Sequence, residues 1–173
     1  MTLLEMLKPA ILTKGPYTIS NGQQVDSWVD MYQIILRGNL LKLLVMKTED
    51  DIALFPRFNF IAGRETAGAL IALKFAEERK IPSIVIRKNK RGCGLEVPSY
   101  PAADKVNKTV LLVDDVTSAG VGMRDSVTKL RDAGFTVVGA YSIVYRGLGA
   151  LKVCVEELDI PFRYLEKIPE NVV

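Results

Sequence analysis

The sequence contains no histidine among its 173 residues. That absence removes the commonest general base at neutral pH, every Ser-His-Asp or Cys-His nucleophile arrangement and most catalytic zinc sites. Cysteine is scarce as well. Cys93 and Cys154 are too few for a four-ligand metal site, and a lone disulfide is unusual in a reducing compartment. No apolar run approaches the ~20 residues of a membrane span. The start, Met1-Thr2-Leu3-Leu4-Glu5, lacks the charged-then-apolar layout of a signal peptide. The net charge of +3, from 23 basic and 20 acidic side chains, is too small to announce nucleic-acid binding. A cytoplasmic protein with neither nucleic acid nor membrane as partner is expected. Its chemistry must use carboxylates, cations, hydroxyls and backbone dipoles, with a hard metal such as Mg²⁺ left open.

What is present fits one domain over 1–173, long enough to bury roughly 70% of the surface of its unfolded form. From about Phe58 the pattern alternates strand and helix, which predicts a parallel sheet with crossover helices. Strands are expected at Phe58–Ala62, Ser83–Ile86, Val110–Val113, Phe135–Val144 and Phe162–Leu165, with the all-apolar Val110–Val113 central. Helices are expected at Thr66–Lys80, Val121–Ala133 and Leu148–Leu158, the first burying Ala69, Leu70, Leu73 and Ala76. Residues 1–50 break the alternation: a helix to Leu12, short strands near Tyr17–Ile19 and Trp28–Met31, and a helix from Leu40 to Lys47. They read as a small lobe over one edge of a core spanning 51–173. Within that core, Gly92, Gly94, Pro98 and Pro101 punctuate a flexible loop at 88–108, longer than compact domains carry without a functional reason.

The strongest signal is Val110-Leu111-Leu112-Val113-Asp114-Asp115-Val116-Thr117-Ser118-Ala119-Gly120. An apolar strand ends in two carboxylates, and a small-residue loop then opens onto a helix. In open α/β sheets the ligand sits outside the carboxyl ends of the strands. Thr117 and Ser118 hydroxyls, with backbone N–H groups through Gly120 at a helix N-terminus, suit a phosphate monoester. Asp114 and Asp115, repelled by that phosphate, are suited to accept from sugar hydroxyls or hold a cation. A phosphate site beside a diol site describes a ribose 5-phosphate. The bland alternative is a strand exit with Ser118 capping the helix. A P-loop reading fails because Gly63 to Gly68 continues into Ala69-Leu70, without the lysine and hydroxyl that such a loop requires.

This stretch resembles the phosphoribosyl-pyrophosphate motif of type I phosphoribosyltransferases, and the rest of the chain narrows the resemblance to the orotate phosphoribosyltransferase family. Tyr17-Thr18-Ile19-Ser20-Asn21-Gly22 with Asp26, Trp28 and Asp30 resembles that family's N-terminal hood over the base. Ile61-Ala62-Gly63-Arg64-Glu65-Thr66-Ala67-Gly68 is similar to its pyrophosphate loop, and Arg87-Lys88-Asn89-Lys90-Arg91-Gly92-Cys93-Gly94 to its basic loop. Arg146, in Val144-Tyr145-Arg146-Gly147, falls where the family carries an arginine for the orotate carboxylate. There are departures. Cys93 stands at the loop histidine, Ala67 where some members have a lysine, and Gln23 and Gln24 where basic residues are common.

The resemblance implies a parallel sheet flanked by helices with a small N-terminal hood, and a pentosyl-transferring enzyme of pyrimidine biosynthesis. Its partners would be phosphoribosyl pyrophosphate and orotate, its cofactor Mg²⁺, and its assembly a homodimer with shared active sites. Arg91 and Lys88 would stabilise the leaving group, helped by Arg87 and Lys90. Asp114 and Asp115 would hold the ribose and, mostly through substrate and water, the metal. Gly63, Arg64, Glu65 and Thr66 would bind pyrophosphate through backbone amides. Val116, Thr117, Ser118, Ala119 and Gly120 would bind the 5-phosphate, and Ser20, Trp28 and Arg146 would serve the base. For Trp28 a core position, and for Arg146 a pairing with a surface acid, are the competing readings. Such chemistry needs positioning and charge stabilisation rather than a protein nucleophile. A transferase for another base, or a non-catalytic sensor of phosphoribosyl pyrophosphate, are the alternatives.

Overall fold

The computed structural model describes residues 3–12, 15–18, 22, 24–87, 108–147 and 149–168. Lys88, Lys90, Arg91 and Cys93, most of the expected loop at 88–108, and Ser20 lie outside the described residues.

Five parallel strands form the central sheet: β5 (Phe60–Arg64), β6 (Ser83–Ile86), β7 (Thr109–Thr117), β8 (Thr136–Tyr145) and β9 (Phe162–Lys167). Their order is β6-β5-β7-β8-β9, so β7 is central, as its apolar run predicts. The chain leaves β5 toward β6 and returns to β7 on the other side. That reversal opens a crevice beyond the carboxyl ends of β5 and β7, where α/β sheets bind ligands.

Alternation along β7 divides the core in two. Leu111 and Val113 face one layer, in which α4 (Ala67–Arg79) packs Ile71 and Phe75 beside Met6, Leu7, Ile34 and Leu44 from the N-terminal part. Val110 and Leu112 face the other layer, filled by Met123, Val127 and Leu130 of α5 (Val121–Asp132) and by Val153 and Cys154. Each fully buried side chain of this size contributes about 1.5–3 kcal/mol relative to exposure. Cys154 is packing, as expected, and burial pushes its thiol up to about 11. Among the described residues no helix is long and apolar enough to cross a membrane.

Several expectations need correction. The N-terminal part does more than cover a sheet edge: its helix over Gly38–Ile52 meets the edge strand β9, and its side chains belong to the same apolar cluster as the face of β7. Its first helix, α1 (Leu3–Leu7), stops short of Leu12, because Pro9 turns the chain through a 3₁₀ segment into β1 (Ile11–Leu12). Strands β2 (Tyr17–Thr18), β3 (Gln24–Val25) and β4 (Trp28–Val29) are shorter than a sheet core needs, and α2 (Tyr32–Ile35) was not anticipated. Helix α3 runs over Gly38–Ile52, well past Lys47. On α4 the buried stripe is Ala69, Ile71, Ala72, Phe75 and Ala76, while Leu73 is 58% exposed. Strand β5 carries on through Gly63 to Arg64, and β7 beyond Val113 to Thr117, because β8 supplies pairing up to Thr117↔Tyr145. The last crossover is one α turn, α6 (Ala150–Lys152), followed by a π-helix over Val153–Glu157.

Candidate active site

The crevice holds a cavity of about 200 Å³ lined by Trp28, Arg64, Glu65, the whole run Asp114–Gly120, and the first turn of α5. Two strand-to-helix turns build it.

The turn from β5 to α4 is closed by its own backbone. A Cβ on Gly63 would lie 2.2 Å from the Gly68 carbonyl oxygen, and one on Gly68 would lie 2.7 Å from Asp114 Oδ1. Only glycine allows both approaches. Glu65 lines the cavity, but its N–H donates to the Ile86 carbonyl at 2.9 Å. The expectation that backbone amides from Gly63 to Thr66 are free for pyrophosphate is therefore corrected at Glu65: the amide is spent on the sheet. Gly63 and Thr66 do not line the cavity.

The turn from β7 to α5 is open. Asp114 is buried and Asp115 partly so, and the Asp115 N–H donates to Asp114 Oδ1 at 3.1 Å. Burial, reinforced by the neighbouring Asp115 charge, holds Asp114 well above the usual carboxylate range. Burial raises Asp115 as well, against its own hydrogen bonds. Arg64 pulls both the other way. Beyond the pair, Thr117 is buried with no hydrogen-bond partner for Oγ1 among the described residues. Its carbonyl accepts from the Arg146 N–H at 2.9 Å, and that of Ser118 from Ala150 at 3.0 Å. Gly120, at φ +83°, precedes α5, and a Cβ there would meet Ala150 Cα at 2.9 Å. Ser118 makes no helix-capping bond, so the bland reading of this loop is not what the structure contains.

The remaining sequence-derived residues divide. Trp28 is 41% exposed on the cavity wall with Tyr17 beside it, ring centroids 6.5 Å apart, so its core reading is wrong. Arg146 is buried, and its Nη2 donates to Ser27 Oγ at 2.7 Å. It lines a recess of about 30 Å³ that shares Trp28, Val29, Val116 and Ser118 with the main cavity. Arg87 follows β6 and does not line the cavity; its carbonyl accepts from Lys129 Nζ at 3.0 Å. Val29, Gly122 and Met123 line the cavity and Ser27 the recess, all unanticipated. Gly122, two residues after Gly120 in a helix start, was a readable signal. Ser27 was not, because its partner lies 119 residues away.

For a metal, the carboxylates that line the cavity are hard oxygen donors: Glu65, Asp114 and Asp115. Among the described residues no group of three acidic, histidine or cysteine side chains could form a complete protein cage. That donor set fits Mg²⁺, which keeps several waters and shares its coordination with phosphate oxygens.

No protein-family model matches the chain. The orotate phosphoribosyltransferase of Corynebacterium glutamicum (strain R) is 30% identical over 166 residues, covering 94% of this chain and 88% of its own. Among solved structures, a phosphoribosyltransferase from Corynebacterium diphtheriae superposes with a TM-score of 0.80 at 26% identity, over 95% of this chain and 93% of that one. The orotate phosphoribosyltransferase of Aeropyrum pernix gives 0.76 at 25% identity, over 96% and 94%. The parallel sheet with flanking helices is shared with both.

Proposed function

The chain belongs to the orotate phosphoribosyltransferase family, and from that premise we propose that it transfers the phosphoribosyl group of phosphoribosyl pyrophosphate to orotate. The products are orotidine 5′-phosphate and pyrophosphate. One observation carries this reading: a buried acidic pair, an open hydroxyl-bearing turn and an exposed tryptophan border the same cavity, with a buried arginine in the adjoining recess.

Thr117 and Ser118, at the mouth of α5, bind the 5-phosphate, and Thr117 Oγ1 has hydrogen-bonding capacity that no described residue uses. Asp114 and Asp115 accept from the ribose hydroxyls and favour positive charge at the anomeric carbon as the bond to pyrophosphate lengthens. Trp28 covers the base, and Arg146 reads its carboxylate with a planar guanidinium that lysine could not match. Arg91, Lys88 and Lys90, assigned from the sequence, bear on the leaving group. Asp114 and Asp115 would hold Mg²⁺, which would supply neutralisation of the pyrophosphate charge. A homodimer is part of the reading, supported by exposed Tyr32 on α2, Leu36 just after it and Leu73 on α4, the two helices packing together. Cytoplasmic work suits a chain whose described cysteine is free.

The test is an absorbance assay with Mg²⁺, phosphoribosyl pyrophosphate and a panel of bases. Consumption of orotate is expected. Turnover of adenine or guanine with orotate inert would move the substrate, and cofactor-like binding with every base inert would make the protein a sensor.

A further inference from the structure

Arg64 is placed where ordinary structural economy would not put it. It is the last residue of β5, paired with Ile86, and its half-buried side chain crosses to the first turn of α5. The guanidinium lies against Gly122: a Cβ there would stand 2.6 Å from Nη1 and 3.1 Å from Cζ. A helix start carries partial positive charge, so beyond what Asp114 and Asp115 offer Arg64, the pair of positive ends favours an anion in the space they share. The first turn of α5 contains no acidic residue. Arg64 Nε is buried with no hydrogen-bond acceptor among the described residues. The Thr117 hydroxyl, buried on the wall of the same cavity, is likewise without a partner among them. Arg64 and Thr117 thus border one space beside a helix start, and Arg64 Nε and Thr117 Oγ1 both lack a partner among the described residues that a phosphate would supply.

We propose that Arg64 is a ligand of the substrate's terminal 5-phosphate, adding a side-chain cation to a turn that otherwise offers hydroxyls and backbone N–H groups. The sequence had grouped Arg64 with the pyrophosphate loop; the glycine cradle turns it toward the other end of the sugar. A guanidinium suits a phosphate monoester because two parallel N–H groups meet two oxygens. The assignment rests on the phosphoribosyl reading above, and it makes the monophosphate end the electrostatic anchor of the site.

Calorimetric titration with ribose 5-phosphate and, separately, with Mg²⁺ and pyrophosphate tests it on the full chain. R64Q should weaken ribose 5-phosphate about ten-fold or more, as loss of a charge-assisted pair does, and leave pyrophosphate within about two-fold. G122A, which keeps Arg64 but fills its cradle, should shift ribose 5-phosphate affinity in the same direction, with circular dichroism confirming that both variants fold. Loss confined to pyrophosphate, or wild-type affinity for ribose 5-phosphate in both folded variants, overturns the assignment while the phosphoribosyl reading stands. Failure of the wild-type protein to bind ribose 5-phosphate at all overturns both.

Discussion

The two turns that frame the cavity solve opposite problems. Between β5 and α4, backbone packs on backbone: Gly63 against the Gly68 carbonyl, and Gly68 against Asp114. Between β7 and α5, polar groups are gathered and buried: two carboxyls raised by burial, and a hydroxyl without a partner among the described residues. The closed turn fixes where the acidic pair stands. The open turn accepts a cost in the free protein that ligand removes. Side chains in the first should therefore matter to folding, and those in the second to binding, even where binding opposes stability.

The largest effect that sharpens this contrast is on catalysis. Replacing both Asp114 and Asp115 by Asn should lower kcat/KM for orotate about 10³-fold or more in steady-state assays, on the scale of lost transition-state electrostatics, with folding intact. A doubly substituted enzyme within ten-fold of wild type would break the comparison. The closed turn should fail differently. Gly63→Ala drives a methyl into the Gly68 carbonyl and should cost about 3 kcal/mol, read as a lowered urea midpoint at unchanged slope.

A third effect is smaller and opposite in sign. The folded protein binds protons at Asp114 more tightly than the unfolded chain, so the stability contributed by protonated Asp114 is present at low pH. It is lost as pH rises through the raised folded value. Asp114→Asn removes that titration. It should raise the melting temperature at pH 8, and the gain should shrink toward pH 4. A variant less stable than wild type at both pH values would contradict the raised carboxyl. Smallest of all, Thr117→Val should shift stability by no more than about 0.5 kcal/mol, since no bond to another described residue is lost. It should nonetheless raise the KM for phosphoribosyl pyrophosphate several-fold.

Much of this was legible in the sequence, for a physical reason. Val110–Val113 is apolar at every position because β7 is covered on both faces, and the acidic pair ends that run abruptly; neither depends on distant partners. Helix faces were harder. Leu73 and Phe75 both suit a helix, and only tertiary packing buries Phe75 fully while leaving Leu73 in solvent. The N-terminal elements were misplaced because β2, β3 and β4 have two residues each, too few to show a period. Within the site, residue types were readable and orientations were not. Glu65 spends its amide on β6, Arg64 turns toward α5, and Arg146 meets Ser27, three facts fixed by partners remote in the chain.

The Arg146–Ser27 contact ties the roof of the cavity to its back wall. The guanidinium on the far end of β8 is held by a segment whose neighbours, Val29 and Met31, are anchored in the main apolar cluster. On the proposed reading of Arg146, base selection and the seating of the segment around Ser27 are thermodynamically linked: whatever loosens that seating also frees the arginine's aim, and a carboxylate that engages the arginine tightens the seating in equal measure.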